Sequence, residues 1–232
     1  MVNLLSIADG ITLLNAILGF LALLMVFSHQ FTLAASFILL GLLADGLDGL
    51  VARFIGNGKL GEFLETIADM VSLSVAPLAL VYAIYYDAIT SELFVHLLVG
   101  IVLVFSLVCS IIRLSSFSLL RQKQSFVGLP TSASAIFLVI ITFLKPGIWY
   151  VLPAIVILSL AMVSSLGFPK PGLKVNLIAA VFIVVTILLD SMYGNIAPLL
   201  LLVALSFYIV VGPIYLQVKK RSNISGTGDT RS

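Results

Sequence analysis

The chain has 232 residues, of which 61% are hydrophobic and only 9% charged, with a mean hydropathy of +1.25 and a formal net charge of +2. Soluble domains run near 45–50% apolar and about 25% charged, so this composition excludes an ordinary soluble domain, a disulfide scaffold and a disordered chain. A helical, multi-span membrane protein remains; a transmembrane barrel is disfavoured because the apolar residues form long unbroken runs rather than alternating.

A spanning helix needs about 20 mostly apolar residues. Taken in order, the sequence predicts eight of them, over 9–27, 31–54, 61–86, 93–118, 128–145, 148–167, 173–190 and 194–217. The breaks carry turn chemistry: Ser28-His29-Gln30, Gly56-Asn57-Gly58, the run from Asp87 to Glu92, Lys145-Pro146-Gly147, Pro169-Lys170-Pro171-Gly172 and Tyr193-Gly194-Asn195. The break at 145–148 also reads as a kink within a re-entrant pair. The first segment does not read as a cleaved leader, because it lacks a basic start and carries Asp9. With eight spans, eleven of the twelve Lys and Arg residues fall on one side, and only Lys145 on the other. That asymmetry places both termini in the cytoplasm. The fold expected is an all-α polytopic bundle, with residues 1–218 as one membrane domain and 219–232 as a polar, disordered tail. Cys109 is the single cysteine, so neither an internal disulfide nor a cysteine-built zinc site is expected; His29, His96 and Cys109 read as structural.

Five of the ten acidic residues, Asp45, Asp48, Glu62, Glu65 and Asp69, lie between positions 45 and 69, at one end of spans 2 and 3. A charge inside a spanning helix costs about 2.5–3.5 kcal/mol on insertion scales. Arg53 and Lys59 are too few to compensate five carboxylates, which makes a divalent cation the natural partner. Asp45 and Asp48 are i, i+3, and Glu65 and Asp69 are i, i+4, so each pair shares a helix face. Two antiparallel helices then bring all-oxygen ligands to one volume. Such ligands suit Mg²⁺, Mn²⁺ or Ca²⁺, and two ions about 3.5–4 Å apart are the arrangement used in phosphoryl chemistry. The plain alternative is that the acids cap helices at the membrane surface. Gly46, Gly49, Ala52, Gly61 and Ala68 interleave with them, as close helix packing or room for a ligand would require. The guanidinium fork of Arg53 suits a phosphate or pyrophosphate.

Asp45-Gly46-Leu47-Asp48-Gly49-Leu50-Val51-Ala52-Arg53, followed by Gly61, Glu65 and Asp69, resembles the signature of the CDP-alcohol phosphotransferases, D-x-x-D-G-x-x-A-R, a spacer, then G-x-x-x-D-x-x-x-D. Two positions depart from it: Glu65 stands where the family has Asp, and the spacer between Arg53 and Gly61 has seven residues where eight is usual. Other stretches resemble the phosphatidylserine synthase branch. They are Ile11-Thr12-Leu13-Leu14-Asn15 with Gly19, Ala68 to Pro77, Arg113 to Phe117, Phe126-Val127-Gly128-Leu129-Pro130, and Met162 to Ser165 with Phe168-Pro169-Lys170. Ala8-Asp9 and the loop form look most like the archaetidylserine synthases.

The resemblance implies transfer of a lipid phosphoryl group from a CDP-lipid to L-serine with release of CMP. It implies Mg²⁺ or Mn²⁺, two ions, on Asp45, Asp48, Glu65 and Asp69, with Asp69 as base for the serine hydroxyl. Thr12, Asn15, Gly49, Arg53, Gly61 and Thr66 would line the nucleotide pocket. Arg113 is the candidate for the serine carboxylate or a lipid phosphate, its plain alternative being an orientation-setting charge. The Phe126–Pro130 loop would close over the site, or simply start the next helix. The acid cluster lies on the side with eleven positive charges, so the site is expected to face the cytoplasm of a prokaryotic plasma membrane; a homodimer follows by analogy with the family, and no nucleic-acid partner is expected. Glycerol phosphate or inositol phosphate as acceptor, an impaired homologue, and a cation transporter using the same acids are the rival readings. No internal repeat supports the last.

Overall fold

The computed structural model describes residues 5–55, 58, 60–90, 92–116 and 125–169, and in the C-terminal part 180–185, 199–200, 202–206, 208–209 and 211–213. From Ile7 to Pro169 the described elements follow in order: α1 (Ile7–Phe27), α2 (Phe31–Ile55), α3 (Gly61–Asp69), a π-helical segment (Met70–Val75), α4 (Ala76–Ile84), α5 (Tyr86–Thr90), α6 (Leu93–Ser116), β1 (Ser125–Val127), α7 (Thr131–Leu144), α8 (Ile148–Val163) and β2 (Gly167–Pro169). Among the described residues, four helical runs are long and apolar enough to cross a membrane: Ile7–Phe27, Phe31–Ala52, Gly61–Ile84 and Leu93–Ser116. They coincide within a few residues with the first four expected spans. The fifth and sixth appear as shorter apolar helices, Thr131–Ile141 and Ile148–Val163. The seventh is described only at 180–185 and the eighth at 199–200, 202–206, 208–209 and 211–213, helical in each case, and the tail 219–232 lies outside the described residues.

The first helix begins where its sequence says it must. Ser6 accepts from the Asp9 amide at 3.2 Å, and the Asp9 carboxylate accepts from the Ser6 amide at 2.7 Å, a reciprocal cap that satisfies two of the orphan donors of the first turn. α1 and α2 form an antiparallel pair through Ser28–Gln30, where His29 adopts a left-handed φ of 57°. The third span is one continuous rod from Gly61 to Ile84, with π-helical geometry in its middle. Pro77 explains the interruption: its ring clashes with the carbonyl four residues earlier and it supplies no amide hydrogen, so the preceding turn widens. The Ala76 amide accordingly bonds to the Val71 carbonyl, five residues back.

This rod packs against α1 along its length, α7 packs on α2 and α4, and α8 packs on α6. One apolar cluster joins α1, α2, α4 and α7 around Ala22, Ala34, Ile38, Leu80 and Val139; another joins α4 to α8 around Val81, Ile89, Val99, Val151 and Ile155. The polarity is inverted relative to a water-soluble protein. Asp9, Thr12, Asn15, Asp48, Asp69 and Arg113 are buried, whereas Phe20, Phe54, Phe63, Leu93, Ile101 and Tyr150 face outward. Large exposed apolar side chains distributed along helices of this length belong in hydrocarbon.

The small antiparallel ribbon was not foreseen in an all-α reading. Ser125, Phe126 and Val127 pair with Pro169, Phe168 and Gly167. Gly128 follows at φ 78°, with its amide on the Leu166 carbonyl at 2.8 Å, and a side chain there would collide with the Met162 carbonyl oxygen. At the opposite end of the rod, the Tyr85 hydroxyl donates to the Pro146 carbonyl at 2.6 Å and ties it to the α7–α8 turn. That turn, where Lys145 is left-handed at φ 43°, separates two distinct helices.

Two glycines therefore carry specific stability consequences. Gly128→Ala should cost about 1–3 kcal/mol from the left-handed backbone, before its collision with Met162. Gly19→Ala should cost a similar amount, about 1–3 kcal/mol, because a Cβ at Gly19 would stand 2.6 Å from the Ser72 Cα. Gly10→Ala meets nothing within 4 Å and should be neutral or slightly stabilising. Thermal unfolding of the three variants in detergent checks the order.

Candidate active site

The acids gather where three helices meet. α1 and the 61–84 rod run parallel and α2 runs against both, so the first turns of α1 and α3 lie beside the last turns of α2. The i, i+3 spacing of Thr12 and Asn15 puts both on one face of α1. Each reaches one acid across a helix boundary: the Thr12 hydroxyl donates to Asp48 Oδ2 at 2.6 Å, and the Asn15 amide nitrogen donates to Asp69 Oδ1 at 2.9 Å. Asp48 is 5% exposed, Asp69 9% and Asn15 0%, so these bonds lie within packed protein and not at a wet rim.

The carboxyl groups of Asp45 and Asp69 are in hydrogen-bond contact, and Asp48 and Glu65 are close enough to act electrostatically on both. Ionised carboxylates only accept, so two in contact must share a proton or a cation. Among the described residues, no three acidic, histidine or cysteine side chains enclose a single point closely enough to hold an ion as they stand. The donor set nonetheless fits a hard divalent cation: it is all oxygen, largely buried, and concentrated between two helices.

The other expected residues of α2 and α3 lie on the same ends of these two helices. Gly46 and Gly49 lie on an exposed face of α2, where a built Cβ would meet nothing of the described residues within 4 Å. Their smallness is thus not used for helix packing inside the chain; it leaves space beside Asp45 and Asp48. Gly61 opens α3, its amide bonded to the Gly58 carbonyl at 3.1 Å. The Thr66 hydroxyl donates back to the Glu62 carbonyl at 2.9 Å. Arg53 sits in the last turn of α2, with a side chain outside the described ones.

Arg113 occupies the last turn of α6, 5% exposed, with Nε donating to the Leu129 carbonyl at 3.1 Å. The Leu129 amide in turn bonds to the Ala161 carbonyl at 2.9 Å. Arg113 therefore grips the Phe126–Pro130 segment at the point where it enters α7, and Pro130 is the N-cap of that helix. Tyr208 fastens the other strand of the ribbon through the Pro169 carbonyl at 3.0 Å, and packs on Phe168.

Two participants went unread in the sequence. Asp9 is 1% exposed and its charge acts on Asp48, so a fifth carboxylate borders the site. Its signal was available as the Ser6-x-x-Asp9 capping pattern. Ser72, three residues after Asp69, receives the close approach of Gly19 and Gly41. No residue-type rule marks such a contact.

Comparison with known proteins bears on this geometry. A family profile described as CDP-alcohol phosphatidyltransferase matches residues 5–165, which include the acids, α1 and the ribbon-bearing segment up to Ser165. The chain is 32% identical over 172 residues to the archaetidylserine synthase of Methanothermobacter thermautotrophicus, covering 71% of this chain and 70% of that one. It is 34% identical over 171 residues to the CDP-diacylglycerol–serine O-phosphatidyltransferase of Methanocaldococcus jannaschii, covering 72% and 76%. It is 33% identical over 161 residues to the enzyme of the same name from Bacillus subtilis, covering 68% and 87%. With a family match over well more than half its length and relatives of this closeness, the chain belongs to the CDP-alcohol phosphatidyltransferase family.

Proposed function

We propose that the protein is a membrane transferase that moves a phosphatidyl or archaetidyl group from a CDP-lipid to L-serine and releases CMP. The observation that carries this reading is the convergence of Asp45, Asp48, Glu65 and Asp69 at one end of an apolar bundle. The motif spacing and the printed activities of the relatives support it.

In the reaction, the serine hydroxyl oxygen forms a bond to the lipid-side phosphorus and the bond from that phosphorus to the CMP oxygen breaks. CMP leaves with the electron pair. The hydroxyl proton goes to Asp69, the last acid of the motif, which the Asn15 amide orients. Divalent cations, Mg²⁺ or Mn²⁺ and two in number, would be held by Asp45, Asp48, Glu65 and Asp69 and would neutralise the pyrophosphate and the charge on departing CMP. The chain's contribution is otherwise positioning in a water-poor site. Gly49 and Gly61 leave room for the nucleotide, with Arg53 and Thr66 at its edge. Thr12 and Asn15 border the same pocket from α1 with their donors on the acids. Arg113 is the candidate contact for the serine carboxylate or lipid phosphate, on its terminal nitrogens, while Nε holds the Leu129 carbonyl.

Eight spans with cytoplasmic termini, from the distribution of Lys and Arg, would put this end of the bundle at the cytoplasmic face of a prokaryotic plasma membrane. Residues 1–218 then form one catalytic unit, and a homodimer is the expected assembly. Glu65 favours a second reading, a homologue with reduced turnover, because its arm is one methylene longer than the aspartate of the family pattern.

Purified protein in detergent should release CMP from CDP-diacylglycerol or CDP-archaeol only with L-serine and Mg²⁺ or Mn²⁺, and not with glycerol 3-phosphate or an inositol phosphate. Asp69→Asn should lower that rate by roughly 10²–10⁴-fold. Release with a phosphorylated acceptor instead would move the assignment to another alcohol. Glu65→Asp separates the two readings of position 65: a large gain in turnover marks an impaired wild type, and an equal or lower rate marks a working site.

A further inference from the structure

We infer that Thr12 and Asn15 are positioning residues that hold Asp48 and Asp69 for cation binding, and that the fold keeps an unsatisfied buried acceptor on Asn15 to do so. The inference deepens the function proposed above and rests on it for the identity of the acids.

Asn15 is fully buried, and its Oδ1 finds no hydrogen-bond partner among the described residues, whereas its Nδ2 lies 2.9 Å from Asp69 Oδ1. An orphaned buried acceptor destabilises a fold. Rotating the amide by half a turn does not relieve it, because Oδ1 would then face the carboxylate oxygen of Asp69, acceptor against acceptor. The orientation is therefore dictated by Asp69. On its other side, Oδ1 would lie 3.0 Å from a Cβ at Gly41, so α2 closes on the amide and fixes its plane. One turn further along, Gly19 meets Ser72, one turn beyond Asp69. Asn15–Asp69 and Gly19–Ser72 are successive rungs between two parallel helices, and the second locks the register of the first.

Thr12 does the same for the other helix. Thr12 is 4% exposed, and its hydroxyl is 2.6 Å from Asp48 Oδ2 and 3.2 Å from the Ala8 carbonyl of its own helix. A hydroxyl that could rest on its own backbone instead makes its shorter contact to a carboxylate. Beside the Asp9 carboxylate, α1 thus supplies one neutral donor to one acid of each partner helix. A neutral donor fixes the direction of a carboxylate's lone pairs without competing with a cation for its charge. Second-layer hydrogen bonds of this kind typically change metal affinity by 10–100-fold.

A purely structural role for these residues makes the opposite stability forecast, and the test uses that. Asn15→Leu removes the orphan acceptor with the same number of side-chain heavy atoms, so thermal stability in detergent should hold or rise. Mn²⁺ affinity of the metal-free protein, read by calorimetry or by the free-Mn²⁺ spin-resonance signal, should fall roughly tenfold or more. Thr12→Val should weaken Mn²⁺ similarly, and Thr12→Ser should restore it. In CMP release the losses should appear in the metal concentration needed and in kcat, with KM for L-serine little changed. Equal Mn²⁺ affinity in wild type, Asn15→Leu and Thr12→Val overturns the inference, as does a wild type that binds no Mn²⁺. So does an Asn15→Leu protein whose affinity falls only in step with a lost fold, unless folded Thr12→Val loses Mn²⁺ affinity and Thr12→Ser regains it. A wild type that binds Mn²⁺ yet releases no CMP with serine defeats the proposed function instead, and leaves the positioning role to be judged on binding alone.

Discussion

Placing carboxylates at the end of an apolar bundle is the constraint on which the rest of this structure depends. Water is scarce there and compensating cations among neighbouring side chains are few, so each acid needs a donor, a shared proton or an ion. The fold answers by surrounding the acids with three helices at once. α2 and α3 bring the carboxylates and α1 brings the neutral donors. A two-helix hairpin alone could carry the acids, but it could not orient them. α1 supplies the donors that meet Asp48 and Asp69 where they are buried.

Close approach of the helices follows from that requirement. The Thr12–Asp48 and Asn15–Asp69 bonds need side chains of only three or four heavy atoms beyond Cα to reach across a helix boundary. Glycines at 19 and 41 permit it, and the π-helical segment begins one residue after Asp69. Widening the helix there changes the faces presented by Ser72 and everything beyond it, while Asp69 keeps its place on the face of α3. The cause lies with Pro77, so a single proline sets where the regular helix carrying the acids ends. A second assembly braces the same side of the chain: β1 and β2 pair, Arg113 holds Leu129, and Tyr208 holds Pro169. The Phe126–Pro130 segment is pinned from both directions and leads directly into α7.

Much of this was legible in the residues. Apolar run lengths located α1, α2, the 61–84 rod and α6 within a few positions, because hydrocarbon thickness fixes the length of a spanning helix. The i, i+3 and i, i+4 spacing of the acids put them on shared faces, and they do converge in electrostatic range. The pairing of Phe126 with Phe168 was not legible. It joins segments some forty residues apart, and three-residue strands leave no periodic trace. The π-helical turn was hidden for a related reason: within a uniformly apolar run, no pattern distinguishes five-residue from four-residue hydrogen bonding. Residue type alone also does not show that the donors of Thr12 and Asn15, expected at the nucleotide pocket from the resemblance, rest on Asp48 and Asp69.

The glycines show why composition alone cannot assign a role. Gly19 and Gly41 are pressed against neighbouring helices, and the first admits no side chain without displacement. Gly46 and Gly49 belong to the same apolar stretch of sequence and would be counted with them as packing residues. They face open space instead, alongside Asp45 and Asp48. The distinction is physical: a glycine at a helix contact minimises distance, whereas a glycine beside acids on an open face maximises free volume and bares the backbone. An alanine at Gly19 must push α1 off the rod and carry Asn15 with it. An alanine at Gly49 moves nothing inside the chain, and can be felt only by whatever enters the space next to the acids.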